Sequence, residues 1–164
     1  MKIYVKTSIL SLTGKMTFTD ENEKPLYYSK NNIFMGGATI RTPEGQKILR
    51  LTKGWFSGAY KIKDMRTKKL VGKCRPKIFT LKTGSLKVDL AGQKLAVQGQ
   101  FLLAFQFTIV NPEGETLVTA NKKLMAWGDA YEIDVHKPDV VHPEYIAALC
   151  VLFNAERKAK GAML

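Results

Sequence analysis

The sequence has only two cysteines, Cys74 and Cys150, among its 164 residues. Small secreted domains that depend on disulfides carry many more, so that class of protein is excluded and reduced thiols are expected. Long apolar runs are also missing: the most apolar stretch, residues 145–153, is far shorter than the roughly 18–20 residues that a transmembrane helix needs. The first ten residues lack the pattern of a secretory signal peptide. We therefore expect a cytoplasmic protein.

Acidic residues are scarce. There are 14 Asp and Glu against 26 Lys and Arg, which gives a formal net charge of +12. Residues 47–94 contain 14 of the basic residues and only two acids, Asp64 and Asp89, so this segment carries the whole surplus. Its charges alternate with apolar side chains, which predicts a folded segment with a basic surface. Such a surplus favours an anionic partner, whether nucleic acid, a phosphorylated ligand or a membrane surface.

Loosely repeated units of about 23 residues run through most of the chain. Each unit alternates apolar and polar residues and has Pro, Gly or Asn at a turn, as is typical of β-hairpins. Six units predict a mainly β protein with about twelve short strands, and a sheet of that length is expected to close into an antiparallel barrel. A meandering β-sandwich is the alternative. Equivalent unit starts are Lys6, Lys30, Lys53, Lys77, Gly99 and Lys122.

The segment from His142 onward breaks this repeat. Pro143 and Glu144 are typical of the first turn of a helix. The following residues, 145–153, are apolar on every side, which indicates a helix buried all round. A closed barrel of about twelve strands has an interior wide enough for one helix. We therefore predict a central hydrophobic helix at about residues 143–158.

Both ends of the chain resemble the LURP-one-related family. The resemblance is carried by residues 122–135, KKLMAWGDAYEIDV, followed by an apolar helix, and by the opening MKIYVK with Ser11, Leu12 and Phe18 before an acidic turn. It implies one LURP-one-related domain over residues 1–164, with strand repeats in 1–138, like a small single-domain bacterial-type member. The implied architecture is tubby C-terminal-like: a twelve-stranded barrel around a central hydrophobic helix.

Relatives in that superfamily include phospholipid scramblases and the phosphoinositide-binding tubby domain. Scramblases add a Pro-rich N-terminal region, a cysteine cluster for acylation and an acidic calcium segment, and this sequence has none of them. Scramblase activity is therefore not expected. The matching motif is structural, so the resemblance supplies no catalytic residue.

Motifs for catalysis and for cofactors are missing as well. The sequence has no nucleophile elbow, phosphate loop or dinucleotide fingerprint, so we expect neither an enzyme nor a cofactor. Cys74 lies between Lys73 and Arg75, but alternation along a strand places it on the opposite face from both cations. We predict that Cys74 and Cys150 are buried, inert thiols.

Two further groups are interpreted as structural. His136 and His142, with Asp134 nearby, match no zinc-ligand spacing, so no metal site is expected. The segment 127–129, Trp-Gly-Asp, is interpreted as an aromatic wedge and a tight turn. The pair at residues 55–56, Trp-Phe, occupies the equivalent place in its own repeat and is given the same architectural role.

The basic patch is the candidate site. If Tyr60 and Ile62 face inward, the lysines that flank Ile62 face outward. If Leu70 and Cys74 of the next strand face inward, the cations between and beside them face outward. The same holds for the cation between Leu86 and Val88 on the strand after that. Successive strands of a meander are neighbours, so these side chains should lie together, with others at the connecting turn. The predicted anion-binding residues are Lys61, Lys63, Arg66, Lys68, Lys69, Lys73, Arg75 and Lys87.

Three functions compete for this patch at residues 47–94. The first is non-enzymatic binding of anionic phospholipid head groups at the inner membrane surface, with the protein held there peripherally. The second is nucleic-acid binding, against which exposed aromatic residues for base stacking are not evident beside the cations. The third is an enzyme acting on a phosphorylated small molecule, which needs a polar pocket where the central helix is expected to be.

Overall fold

The strands follow the alternation seen in the sequence. A computed structural model describes residues 1–7, 15–32, 37–75, 85–100, 106–125 and 128–161. In chain order the strands are β1 Lys2–Thr7, β2 Met16–Thr19, β3 Pro25–Asn32, β4 Gly37–Arg41, β5 Lys47–Lys53, β6 Tyr60–Asp64, β7 Leu70–Cys74, β8 Ser85–Leu90, β9 Gln93–Gln100, β10 Gln106–Val110, β11 Thr116–Met125 and β12 Gly128–Val135. One helix, α1, follows at Pro143–Gly161.

The twelve strands form a closed antiparallel barrel. Each strand pairs with its neighbours in sequence, and β1 pairs with β12 to close the sheet, with Ile3 opposite Ile133. The predicted barrel is confirmed, and the sandwich alternative is wrong. Closure leaves no open edge along the sheet.

The repeat units map onto this barrel with one difference. Five predicted turns, including residues 20–25, 42–46 and 111–115, connect consecutive strands of hairpins. The sixth unit, however, contributes one new strand instead of two, because its first half is the end of the long strand β11. The strand that the repeat units do not account for is β1. It precedes the first complete hairpin and carries the inward residues Ile3 and Val5.

Helix α1 fills the barrel interior. It begins at Pro143, as predicted, and extends to Gly161, three residues beyond the predicted end. Residues 146–153 are at most 1% exposed, which means that the helix is covered on all sides. Phe153 meets Phe107 of β10 edge to face, with ring centroids 5.3 Å apart. Apolar residues from helix and strands thus form one continuous core.

The alternation of residues correctly predicts which side chains face the core in these strands, with one exception. Tyr60 and Ile62 of β6 and Leu86 and Val88 of β8 are buried, as predicted. Leu70, predicted to face inward, is instead 56% exposed. The register between β6 and β7 shifts between residues 62 and 63, and this bulge reverses the face on which the first residue of β7 lies.

Among the described residues, no helix combines the length and the apolar character needed to span a membrane.

Candidate functional site

A groove of about 970 Å³ lies across the outer face of β6, β7, β8 and β9 and is open to solvent. The turn before β6 forms one end of the groove and the β10–β11 turn forms the other. Its described lining contains one carboxylate, Asp89, so five cations leave a net charge of +4 in the groove. The cations are Lys61, Lys73, Arg75, Lys87 and Lys94.

Strand register explains why these side chains meet. Lys61 of β6 lies opposite Lys73 of β7, which lies opposite Asp89 of β8, which in turn lies opposite Lys94 of β9. Each is flanked along its own strand by a residue that faces the core, so all four point outward. A single row of charged side chains therefore crosses four strands.

Lys94 belongs to this row although the patch predicted from sequence omits it. The sequence contains a feature that indicates the position of Lys94, namely the short turn before β9. The two-residue turn of Ala91 and Gly92 has positive φ at both positions, 49° and 78°, which is the geometry of a tight hairpin. Such a turn fixes the register of its strands, which places Lys94 opposite Asp89.

The groove cations have no ionic partners within the described part of the chain. No carboxylate oxygen lies within 4.0 Å of the charged nitrogens of Lys61, Lys73, Arg75, Lys87 or Lys94, while salt bridges form elsewhere on the barrel. Moreover, Lys61 and Lys73 are like charges placed directly opposite each other, which destabilises a sheet. The fold thus carries an electrostatic cost that an external anion would relieve.

A second row of cations lies beside the groove. Lys30 of β3 lies opposite Thr39, Thr39 lies opposite Arg50, and Arg50 lies opposite Lys63 of β6. A depression of about 250 Å³ is lined by Lys30, Lys47 and Arg50. Lys63, predicted as a site residue, therefore belongs to this second row and not to the groove lining.

Arg66 is committed to an internal role. Its Nη2 lies 2.8 Å from Asp64 Oδ2 and 2.6 Å from Glu144 Oε1, and its Nη1 donates to Glu144 Oε2 at 3.2 Å. Hydrogen bonds from Arg66 lower the pKa of the buried Asp64 carboxyl to about 2. Arg66 thereby ties the first turn of α1 to the β6–β7 turn. The exposed Lys68 and Lys69 lie on that turn, outside the groove lining.

An exposed aromatic turn adjoins the groove. Trp55 and Phe56, between β5 and β6, are 92% and 100% exposed, so the architectural role expected for them is wrong. Strand β5 ends before this turn and β6 begins after it, so the tip of the turn extends beyond the core. Ser57 and Ala59 of the same turn line the groove. Aromatic side chains therefore do lie beside the cations, contrary to the expectation from sequence.

The base of this turn is fixed to the central helix. Lys53 and Tyr60 lie opposite each other at the ends of β5 and β6. Lys53 Nζ and Tyr60 Oη each lie 2.6 Å from Oε1 of Glu156, a buried carboxylate of α1. Burial, and then the hydrogen bond to Glu156, raise the pKa of Tyr60 above its usual range, so its hydroxyl stays protonated and donates.

The sequence model of the LURP-one-related family matches residues 1–154 of the chain. The chain belongs to the LURP-one-related family. An X-ray structure of a protein from Arabidopsis thaliana has the same fold: the TM-score is 0.67 at 14% sequence identity, over 93% of this chain and 90% of that one. No curated protein matches the chain.

The segment 127–129 of this LURP-one-related chain includes Trp127, which lies outside the described residues.

The two thiols of the barrel are buried, as predicted. Burial raises the pKa of Cys74 to about 12, and burial also raises the pKa of Cys150. Cys74 borders the groove, but a thiol protonated at neutral pH is a poor nucleophile.

The histidines of the LURP-one-related barrel lie near its outer rim. His136 Nε2 is 3.0 Å from Thr119 Oγ1, and His142 makes an edge-to-face contact with the Tyr145 ring. Within the described ranges no group of three or more His, Cys, Asp or Glu side chains could hold a metal ion. Asp134 approaches His136 Nδ1 only to 4.0 Å.

Proposed function

We propose that this LURP-one-related protein is a non-enzymatic binding protein for anionic phospholipid head groups at a membrane surface. The observation that carries the proposal is the groove, where five cations without ionic partners among the described residues leave a net charge of +4 in the described lining. Each basic residue near an anionic bilayer contributes about 1 kcal/mol to binding. A cluster of this size is therefore enough for peripheral attachment.

The kind of cation indicates the kind of recognition. Four of the five are lysines, with Arg75 as the exception. Lysine acts as a flexible point charge, whereas arginine imposes planar, bidentate geometry on its partner. The groove is accordingly suited to phosphate groups in varied orientations. Its volume of about 970 Å³ also falls at the upper end of the usual range for small-ligand sites.

The groove offers little for catalysis. Its one described carboxylate, Asp89, lies opposite Lys73 on one side and Lys94 on the other. The Cys74 thiol, with its pKa near 12, stays protonated. An efficient general acid or base has a pKa near the working pH, and the Cys74 thiol does not have that property. This supports binding over chemistry on a phosphorylated small molecule.

Nucleic-acid binding is the second candidate, and the exposed Trp55 and Phe56 favour it to a degree because bases stack on aromatic rings. Single-strand binding proteins, however, place such rings along the path of the strand. The described groove lining contains cations, one carboxylate, aliphatic residues and small polar residues, while the two rings that are nearly fully exposed in the described residues lie together at one turn. Two rings at one turn are suited to contact a surface at a single point. They are less suited to stack on successive bases of a nucleic-acid strand that runs along the sheet.

A matched pair of variants tests the proposal by vesicle sedimentation. Lys61→Glu with Lys87→Glu reverses two groove cations. Lys68→Glu with Lys69→Glu makes the same change in net charge on the exposed β6–β7 turn. Phosphatidylcholine vesicles with phosphatidylserine should bind the wild type and the turn variant but not the groove variant, and vesicles without phosphatidylserine should bind none. Equal losses in both variants, or binding that ignores lipid charge, would contradict the proposal.

A further inference from the structure

The turn that carries Trp55 and Phe56 is built to hold two apolar side chains in water. Turns are normally polar, and soluble proteins rarely leave large aromatic groups uncovered side by side. These two residues are 92% and 100% exposed. Nothing in the described part of the chain covers them, so their apolar surface is available to a partner.

The turn has a defined shape. Gly54 N–H donates to the Ala59 carbonyl at 2.8 Å, Gly58 N–H donates to the Gly54 carbonyl at 3.0 Å, and Ala59 N–H donates to Ser57 Oγ at 3.2 Å. Gly58 has φ of +62°, a conformation that favours glycine. At Gly54 a Cβ would lie 2.5 Å from Ser57 Oγ. Two glycines thus permit a closed turn that presents the aromatic pair at its tip.

The turn is also held firmly from below. Lys53 and Tyr60 at its base share the Glu156 carboxylate of the central helix, each at 2.6 Å, and the Lys53 ammonium lies 5.1 Å from the centre of the Tyr60 ring. An aromatic tip mounted on such a base loses little conformational freedom on binding, which favours affinity.

Charge and spacing identify the partner. Ala59 pairs with Gly54 at the base of the turn, and Lys61 lies two residues beyond it, about 7 Å along the strand at ~3.3 Å per residue. Apolar faces of peripheral proteins enter a bilayer to a depth of roughly 5–10 Å. When the aromatic tip enters the interface, Lys61 lies on the head-group side of the tip, and its long side chain extends towards the lipid phosphates.

We propose that Trp55 and Phe56 form a membrane-inserting wedge that docks the basic groove onto an anionic lipid bilayer. This inference rests on the proposed function and adds its orientation: the β5–β6 turn enters the interface and the groove faces the head groups. The partner is the bilayer itself, since a free phosphate compound would leave both rings in water.

Fluorescence of Trp55 tests the insertion directly. Its emission is obtained as the difference between the wild type and Trp55→Leu, which retains Trp127. On phosphatidylcholine–phosphatidylserine vesicles it should shift to shorter wavelength and be quenched by brominated acyl chains. Vesicles of phosphatidylcholine alone should leave it unchanged.

Paired substitutions test the energetics. Trp55→Ser with Phe56→Ser should weaken vesicle binding roughly tenfold or more, because the apolar contribution is lost. Trp55→Leu with Phe56→Leu should retain most of the affinity, because leucine also enters the acyl region. Val140→Ser, at an exposed apolar residue before α1, is the control and should change nothing. All three sites are on the surface, so thermal unfolding should stay close to that of the wild type.

The outcomes separate the two proposals. If the serine pair binds vesicles like the wild type while the groove variant fails to bind, the wedge is refuted and head-group binding stands. If the wild type itself does not bind anionic vesicles, both proposals fail. If the leucine pair loses as much affinity as the serine pair, and single-stranded oligothymidylate quenches Trp55 and binds the wild type more tightly than vesicles do, base stacking replaces membrane insertion.

Discussion

Replacing Lys61 with glutamate should stabilise the protein and weaken its binding at once. In the native barrel Lys61 lies directly opposite Lys73, and neither forms a salt bridge within the described residues, although Asp89 lies opposite Lys73 on its other side. The substitution turns a repulsive cross-strand pair into an attractive one. The lost repulsion and the new attraction contribute about 0.2–1 kcal/mol each, and exposure to solvent reduces both, so we expect a total gain of about 0.5–1 kcal/mol.

That gain corresponds to a rise in Tm of about 1–4 °C for a chain of this length. The reciprocal change, Lys73→Glu, should give almost no gain. A glutamate at position 73 would be attracted to Lys61 on one side and repelled by Asp89 on the other. The difference between the two single variants therefore reports on the row of charges, and not on net charge, which is the same in both.

Binding should change in the opposite direction. Loss of one cation and introduction of one anion at an anionic surface costs about 2 kcal/mol, which is roughly 30-fold in affinity for phosphatidylserine vesicles. Urea unfolding at low salt measures the stability, and sedimentation measures the binding. The stability gain should vanish in about 1 M salt, where the Debye length is near 3 Å. A Lys61→Glu protein that is less stable than the wild type at low salt would refute the electrostatic account.

Three further results are expected. Tyr60→Phe should lower the free energy of unfolding by about 1–2 kcal/mol, measured in urea, because Glu156 loses a buried hydrogen-bond donor. Stability should fall as the pH drops from about 5 towards 2: the folded-state pKa of Asp64 is depressed to about 2, so its contribution is complete above the unfolded pKa and lost as pH falls through the folded one. Cys74 and Cys150, both buried, should react with a disulfide reagent only after unfolding.

Each of these has its own control. Tyr28→Phe removes a hydroxyl from a half-exposed ring and should leave stability unchanged, so an equal loss there would contradict the role given to Tyr60. Asp64→Asn should reduce the loss of stability between pH 5 and 2. An unchanged loss would show that other carboxyl groups cause it. Rapid labelling of a thiol in the native protein would show that the barrel opens or that the thiol is accessible.

Local patterning was sufficient to predict the barrel and four of the five cations of the described groove lining. Apolar residues alternate with lysines from Tyr60 to Lys63 in β6 and with polar residues throughout β8, so the outward placement of Lys61 and Lys87 follows from the two-residue period of a strand. The long apolar segment after Pro143 required an enclosure, and a closed sheet provides one. These features depend only on neighbours in sequence.

The missed features depend on interactions that a local pattern does not contain. Arg66 looks like any cation in a basic turn, but its partner Glu144 is 78 residues away and becomes visible only when the helix is docked. Leu70 lies beside a bulge whose position the alternation does not reveal. Trp55 was assigned to the architecture by analogy between repeats, and the analogy fails because its turn extends beyond the core.

The enclosure of α1 determines the order in which this protein can fold. Every strand precedes the helix in sequence, so all twelve leave the ribosome before the segment that fills their interior. A helix covered on all sides cannot enter through a completed wall. The core therefore cannot be completed until Pro143–Gly161 has been synthesised. Until then, the apolar faces of the strands must be kept apart from those of other chains.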